Sequence, residues 1–282
     1  MLKTLTKSAA AVALASTASV TFADGIPVTD DVADSGKLTI ASGLSYAPFN
    51  MVDENGNPAG LDIETAQAAA DILGVELDIL VIPFSNQIPS LAADRIKVAW
   101  ATFTVTEERL GQVDFVAFMQ TGSVVVTTPD LAASFEGDMA YCGRNIGVQT
   151  GSAGDFQADQ LSESCVEAGK EAIEKSIYPE QKDVIQALLS GRVEARLDDA
   201  TSAGYYQKTS GGKQVVVGAP MLPAPLGVAI RKGDTATADM LLATFNEMMA
   251  NGSYQSVLEG YSMTAASLDK PILYTDASQL AN

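Results

Sequence analysis

Val98-Ala99-Trp100-Ala101-Thr102-Phe103-Thr104-Val105-Thr106-Glu107-Glu108-Arg109 is the stretch that decides the fold class. Val98–Ala101 is an apolar run of strand length, and it gives way to a polar run ending at Thr106. Thr106 suits a helix N-cap, Glu107 and Glu108 suit the positive end of a helix dipole, and Arg109 then lies about one turn beyond the strand end. Strands alternating with helices in this way are the mark of an α/β protein. Upstream, Lys37–Ser42 reads as a strand, and Leu61, Ile63, Ala66, Ala69, Ala70 and Leu73 share a helical stripe that stops at Gly74. Val75–Val81 alternates as the next strand, and Pro89 is placed to open a short helix running through Ala93. Downstream, strand Ile146–Gln149, a helix after Ser152, helix Val184–Leu189, and strands Val193–Leu197 and Gln214–Val217 continue the alternation. Leu241, Leu242, Phe245, Met248 and Met249 form a stripe after Asp234, closed by Asn251-Gly252, that belongs to a core and not to a cofactor box.

The chain of 282 residues is near the upper size of one core, and Thr127–Pro129 and Gly218–Pro225 look like paired connections. The chain is expected to leave a first lobe, residues 24–127, build a second, residues 128–221, and return to the first over residues 222–282.

Composition narrows the function. With 17 Lys plus Arg against 35 Asp plus Glu the formal charge is −18, and there is no His. Every mechanism needing an imidazole is excluded, and the ligand sets usual for structural zinc, haem or blue copper cannot be assembled from one chain. No metal and no cofactor are expected. An acidic chain without a Lys/Arg-rich run makes nucleic acid and anionic membrane surfaces poor partners.

Lys3 and Lys7 precede an apolar, Ala-rich stretch from Ala9 to Val20 and then Thr21-Phe22-Ala23, which reads as a secretory signal peptide over residues 1–23. No Cys follows it to accept lipid, so a free protein in the periplasm is expected. An oxidising compartment favours pairing the only two thiols, Cys142 and Cys165, although two free buried thiols stay open as an alternative.

Tyr46-Ala47-Pro48-Phe49, Gly60-Leu61-Asp62-Ile63-Glu64, Phe103-Thr104-Val105-Thr106-Glu107-Glu108-Arg109 and Val113-Asp114-Phe115 occur in order. Gly147-Val148-Gln149-Thr150-Gly151-Ser152, Ala187–Val193, Gly227–Asp234 and Asn251-Gly252-Ser253-Tyr254 follow them. Each motif is short, but the ordered set resembles the amino-acid-binding periplasmic solute receptors over nearly the whole chain beyond the signal region. The resemblance implies a two-lobed clamp of the second structural type with a ligand cleft between the lobes. It also implies hinge closure on an amino acid, a membrane permease driven by an ATPase as partner, no catalysis, and a monomer as the simplest shuttle.

The site residues follow from both chemistry and resemblance. A free amino acid presents a carboxylate and an ammonium, and each must be matched when water leaves a closing cleft. Arg109 offers a planar fork for a carboxylate, and its position matches the family's carboxylate-binding Arg. The bland alternative is a surface Arg pairing with Glu108 or Asp114. Thr104 and the backbone around Thr102 correspond to positions contacting the ammonium and carboxylate. Ser152 and Ala153 would offer N–H groups at a helix start. Asp199 matches the ammonium-binding acid, at a strand's C-terminal end where α/β ligands sit. Tyr46 and Phe84 match positions whose rings stack on the ligand, with a core role open for Phe84. Asn86 and Gln87 are candidates for reading the ligand side chain. Thr102 stands where Gly or Asn is common, Arg196 occupies a usually apolar strand position, and Asp198 adjoins Asp199. These two either pair with each other, or Asp198 faces the cleft and favours a cationic ligand. Tyr261 is expected only to pack. The ligand class implied is a polar or basic amino acid. The other readings on the same scaffold are a dehydratase-type enzyme and a sensor lobe, and the chain has neither a Gly-x-Ser-x-Gly nor a Gly-Lys-Ser/Thr loop to support catalysis.

Overall fold

The computed structural model describes residues 25–281, so the expected signal peptide lies outside the described residues. In chain order the elements are α1 (Asp30–Ser35), β1 (Lys37–Ser42), β2 (Met51–Val52), β3 (Pro58–Ala59), α2 (Leu61–Leu73), β4 (Glu76–Val81), α3 (Phe84–Ala92), β5 (Val98–Thr104), α4 (Glu107–Leu110) and β6 (Val113–Thr127). They continue with β7 (Asn145–Gln149), α5 (Ala153–Glu167), β8 (Glu174–Tyr178), α6 (Gln181–Leu189), β9 (Ala195–Asp199), α7 (Ala200–Thr209), β10 (Val215–Arg231), α8 (Thr235–Asn251), α9 (Ser253–Gly260) and β11 (Ser267–Tyr274).

The main sheet runs β4-β1-β5-β10-β6-β9-β7-β8, with β11 also on β6, while β2 and β3 form a separate hairpin. β1 pairs in parallel with β4 and β5, and β7 in parallel with β8 and β9. These two parallel groups are joined by the long antiparallel pair β6–β10. Each long strand serves both halves. Phe115–Met119 of β6 carries β11 and its Ser123–Thr127 carries β9, while Leu226–Ile230 of β10 pairs β5 and its Val215–Val217 pairs only the far end of β6. Register slips between Val217, Met221 and Ala224 mark where the pair bends.

Each half of the sheet is covered on both faces, which is why its strands read as continuous apolar runs rather than clean alternation. In the first half, Trp100 and Phe118 pack with Leu38, Leu61, Leu73, Phe245 and Tyr254 on one face, while Phe103 and Phe115 pack with Leu91 and Leu110 on the other. In the second half, Val125, Val148 and Leu197 meet Leu161 of α5, and Val124, Val126 and Val193 meet Leu188 of α6.

The helix expected over Leu61–Leu73 forms with those bounds and ends on Gly74, whose φ of 69° is the left-handed conformation a C-terminal Gly supplies. Pro89 does not open α3: the helix starts at Phe84 after Pro83, and Pro89 lies inside it. The earlier start brings Phe84, Gln87, Ile88 and Leu91 onto one inward face at helical spacing, with Gln87 and Leu91 buried. β5 runs on through Thr104, β9 spans Ala195–Asp199 rather than Val193–Leu197, and the strand expected over Gln214–Val217 starts at Val215 and continues to Arg231.

Cys142 and Cys165 form a disulfide, with Cα atoms 5.6 Å apart, which removes the free-thiol alternative. It ties the segment before β7 to α5 across 23 residues. Replacing both cysteines by Ala is expected to lower stability by about 3 kcal/mol in the chain-entropy model, measured by denaturant unfolding against the oxidised protein.

Candidate functional site

The strand-to-helix corners converge on one cavity between the two halves of the sheet. β5 passes through Val105 and Thr106 into α4, with the Thr106 side chain accepting from the Arg109 N–H. β7 passes into α5 through Gly151 and Ser152, whose hydroxyl accepts from the Asp155 N–H at 3.1 Å. β9 passes straight into α7, with Asp199 as N-cap accepting from the Ser202 N–H at 2.8 Å. The cavity measures about 50 Å3, and Tyr46, Phe84, Thr102, Thr104, Arg109, Ser152, Ala153 and Asp199 all line it. That is room for a few waters.

Arg109 is buried beneath three aromatic rings, its guanidinium carbon 5.3 Å from the Phe103 ring centre, 5.5 Å from Phe84 and 6.0 Å from Phe156. Its Nη1 donates to the Thr104 carbonyl at 2.6 Å and its Nη2 to the Gly151 carbonyl at 2.8 Å, while Nε has no partner. Burial lowers its pKa to about 10, which leaves it a cation at neutral pH. The alternative of a surface Arg paired with Glu108 or Asp114 fails: among the described residues Arg109 makes no ion pair, and Asp114 pairs with Lys232 at 2.9 Å. Phe84 satisfies both of its readings, since it stacks on Phe103 with ring centres 4.9 Å apart and also lines the cavity.

Across the cavity, Asp199 is half-buried and makes no ion pair among the described residues, and desolvation, then the neighbouring Asp198 charge, pushes its carboxyl up to about 6. Arg196 and Asp198 do pair, deep in the second half. Arg196 Nε also donates to Gln214 at 3.1 Å, and its guanidinium lies 5.4 Å from the Tyr206 ring centre. Asp198 lines the cavity as well, where it takes the Tyr46 hydroxyl at 2.7 Å and the Gln181 amide at 2.9 Å. Both suggestions about Asp198 hold in part: it faces the cleft, but its charge is matched by Arg196.

Thr102 has a φ of 42°, an uncommon conformation for a β-branched residue and one that accounts for Gly being usual there. Its hydroxyl binds Asp62, which also accepts from Asn50 Nδ2 at 2.7 Å. Burial pushes Asp62 up to about 6, although these hydrogen bonds oppose the shift.

Asn86 and Gln87 do not line the cavity. Gln87 is buried behind it, with its amide donating to the Ile82 carbonyl at 3.0 Å. Tyr261 does more than pack, since its hydroxyl donates to Glu64 at 2.6 Å. Sequence reading missed Ser45, Ser123, Gln149 and Gln181 in the lining. Ser123 lies in a strand that was not read, and Gln181 at the unread start of α6.

The model of the bacterial extracellular solute-binding proteins, family 3, matches residues 38–264. The arginine-binding protein ArgT of Corynebacterium glutamicum is 27% identical over 247 residues, 87% of this chain and 81% of that protein. An ancestral arginine-binding protein bound to arginine superposes with a TM-score of 0.72 at 29% identity, covering 80% of this chain and 98% of that one. The ancestral amino acid-binding protein AncCDT-1, a precursor of cyclohexadienyl dehydratase, gives 0.74 at 26% identity, with 82% and 98% covered.

Proposed function

Since the chain belongs to the bacterial extracellular solute-binding proteins, family 3, we propose that it captures a free amino acid in its cleft and presents it to the membrane permease of an ABC transporter. One observation carries this reading. The cavity holds one cation, Arg109, and one carboxylate, Asp199, that lack an ionic partner among the described residues, while Arg196 and Asp198 neutralise each other. An amino acid zwitterion supplies the two missing charges together.

In this reading Arg109 holds the α-carboxylate through parallel hydrogen bonds, helped by the Thr102 backbone and by N–H groups at Ser152 and Ala153. Asp199 and Thr104 receive the ammonium, and the rings of Tyr46 and Phe84 cover the apolar atoms. The ligand is a polar or basic amino acid. The basic end is supported by the names of the arginine-binding relatives. The first lobe comprises residues 24–127 and 222–282 and the second residues 128–221, with closure about the β6–β10 pair, whose register slips support bending there. The protein is exported by its signal peptide, works in the periplasm as a monomer, and performs no chemistry on its ligand.

Thermal unfolding of the purified protein, stripped of ligand by refolding, against a panel of amino acids, amines and organic acids tests this. A polar or basic amino acid at a thousandfold excess over its Kd is expected to stabilise by about 4 kcal/mol, a shift of several degrees, and mass spectrometry should return it unchanged. No shift with any amino acid overturns the reading, and conversion of the ligand replaces it with an enzyme.

A further inference from the structure

The backbone that carries Arg109 is a single helical turn. α4 has four residues, with Arg109 third and Leu110 last, and so short a helix leaves its final carbonyls for other groups to satisfy. Thr106 caps its start. At its end the Arg109 carbonyl accepts from the Gln112 N–H at 2.9 Å, and the Leu110 carbonyl accepts from Lys232 Nζ at 2.8 Å. A cation also suits the negative end of the helix dipole.

Lys232 directly follows β10, and its ammonium has three N–H groups facing three oxygens. These are the Leu110 carbonyl, the Asp114 carboxylate of β6 at 2.9 Å and the Thr275 carbonyl just beyond β11. Asp114 is buried, and its other oxygen accepts from the Gly233 N–H at 2.7 Å, which fixes the carboxylate from two sides. The Lys232 side chain is partly exposed, yet its head joins α4, β6 and the C-terminal segment to the end of β10. The C-terminal segment completes the support. Gln279 Oε1 accepts from the Thr275 and Asp276 N–H groups at 2.7 and 2.9 Å, and its Nε2 donates to the Leu273 carbonyl at 3.0 Å, so the chain folds back after β11. Leu280 then packs against the cluster of Val105, Leu110 and Val113 and lines the same surface crevice as Glu107 and Glu108. Neither Lys232 nor Leu280 lines the ligand cavity.

We infer that Lys232 is a positioning residue for the Arg109 guanidinium: by tying the last carbonyl of α4 to β6 and to the C-terminal segment, it sets where the fork originates, so that amino-acid affinity depends on a lysine the ligand does not touch. The inference rests on the reading in which Arg109 holds the ligand's carboxylate. Two parallel hydrogen bonds from a planar fork demand a fixed origin and direction, so a shift of α4 misaims both together. An ammonium on a flexible stem has rotatable donors and follows its partner through the same shift.

That contrast supplies the test, a double-mutant cycle of wild type, Lys232→Met, Arg109→Lys and the double variant, titrated calorimetrically with L-arginine and with L-glutamine. Lys232→Met keeps most of the stem and removes the ammonium. It is expected to weaken binding of either ligand by about threefold to tenfold beside the native Arg109, and by less than about twofold in the Arg109→Lys background. A merely structural Lys232 would lower the unfolding temperature but cost the same affinity in both backgrounds. Equal costs, or a Lys232→Met protein that binds as tightly as wild type, overturn the positioning role and leave amino-acid capture intact. If Lys232→Met does not fold, Leu280→Ala loosens the same support from the C-terminal segment, and the same comparison of backgrounds decides. Failure of the wild-type protein to bind either probe or any other amino acid overturns the inference together with the reading beneath it.

Discussion

Replacing Arg109 by Ala is expected to weaken amino-acid binding by about 2–5 kcal/mol, roughly thirtyfold to a few thousandfold. The size follows from what the substitution leaves behind. In a shut cleft the ligand's carboxylate has no water to fall back on, and Arg109 is the one cation facing the cavity without an ionic partner among the described residues. Arg109→Lys should recover only part of the loss, because a point charge cannot reproduce the parallel hydrogen bonds of the fork. Arg109→Ala also vacates the space among Phe84, Phe103 and Phe156. Calorimetric affinity must therefore be read beside the unfolding temperature of the empty variant. A Lys variant that folds normally yet binds as tightly as wild type would remove the carboxylate-anchor role.

Asp199→Asn is expected to cost a similar 2–5 kcal/mol of affinity through a different balance. Asn is as good an N-cap as Asp, so the bond from the Ser202 N–H that starts α7 is retained. What disappears is the charge, which is half-buried and has no ion-pair partner among the described residues. The empty variant should consequently unfold at a temperature no lower than wild type at pH 8, while its binding is lost. Affinity and stability then move apart, which a merely structural Asp199 would not produce. Retained affinity in a folded variant would place the ammonium elsewhere.

Much of this was legible in the sequence because it is local. The α2 stripe and its Gly74 stop, Thr106 as N-cap, and Ser152 and Asp199 at their corners each depend on a few neighbouring residues, and each takes that place in the fold. Arg109 was legible for the same reason, through one polar corner within an ordered set of motifs. The β6–β10 pair was not. β6 is buried on both faces toward both ends and β10 only over Leu226–Ile230, so they show no alternation, and they are interrupted by glycines and prolines. Pro89 misled because a proline at a helix start and one inside a short helix look alike until the inward face of Phe84, Gln87 and Leu91 is seen. Asn86 and Gln87 misled because nearness in sequence does not fix direction, and Gln87 turns toward the Ile82 carbonyl. The Arg196–Asp198 pairing was visible as an open choice, but only the cavity wall shows that Asp198 meets Arg196 and Tyr46 at once.

The most direct measurement is a crystal structure of the protein with the amino acid that raises its unfolding temperature most. The account predicts that ligand in the cavity between the lobes, with its carboxylate in parallel hydrogen bonds to the Arg109 guanidinium and its ammonium on Asp199. A ligand bound outside this cavity, or one inside it with its carboxylate away from Arg109, would contradict the account.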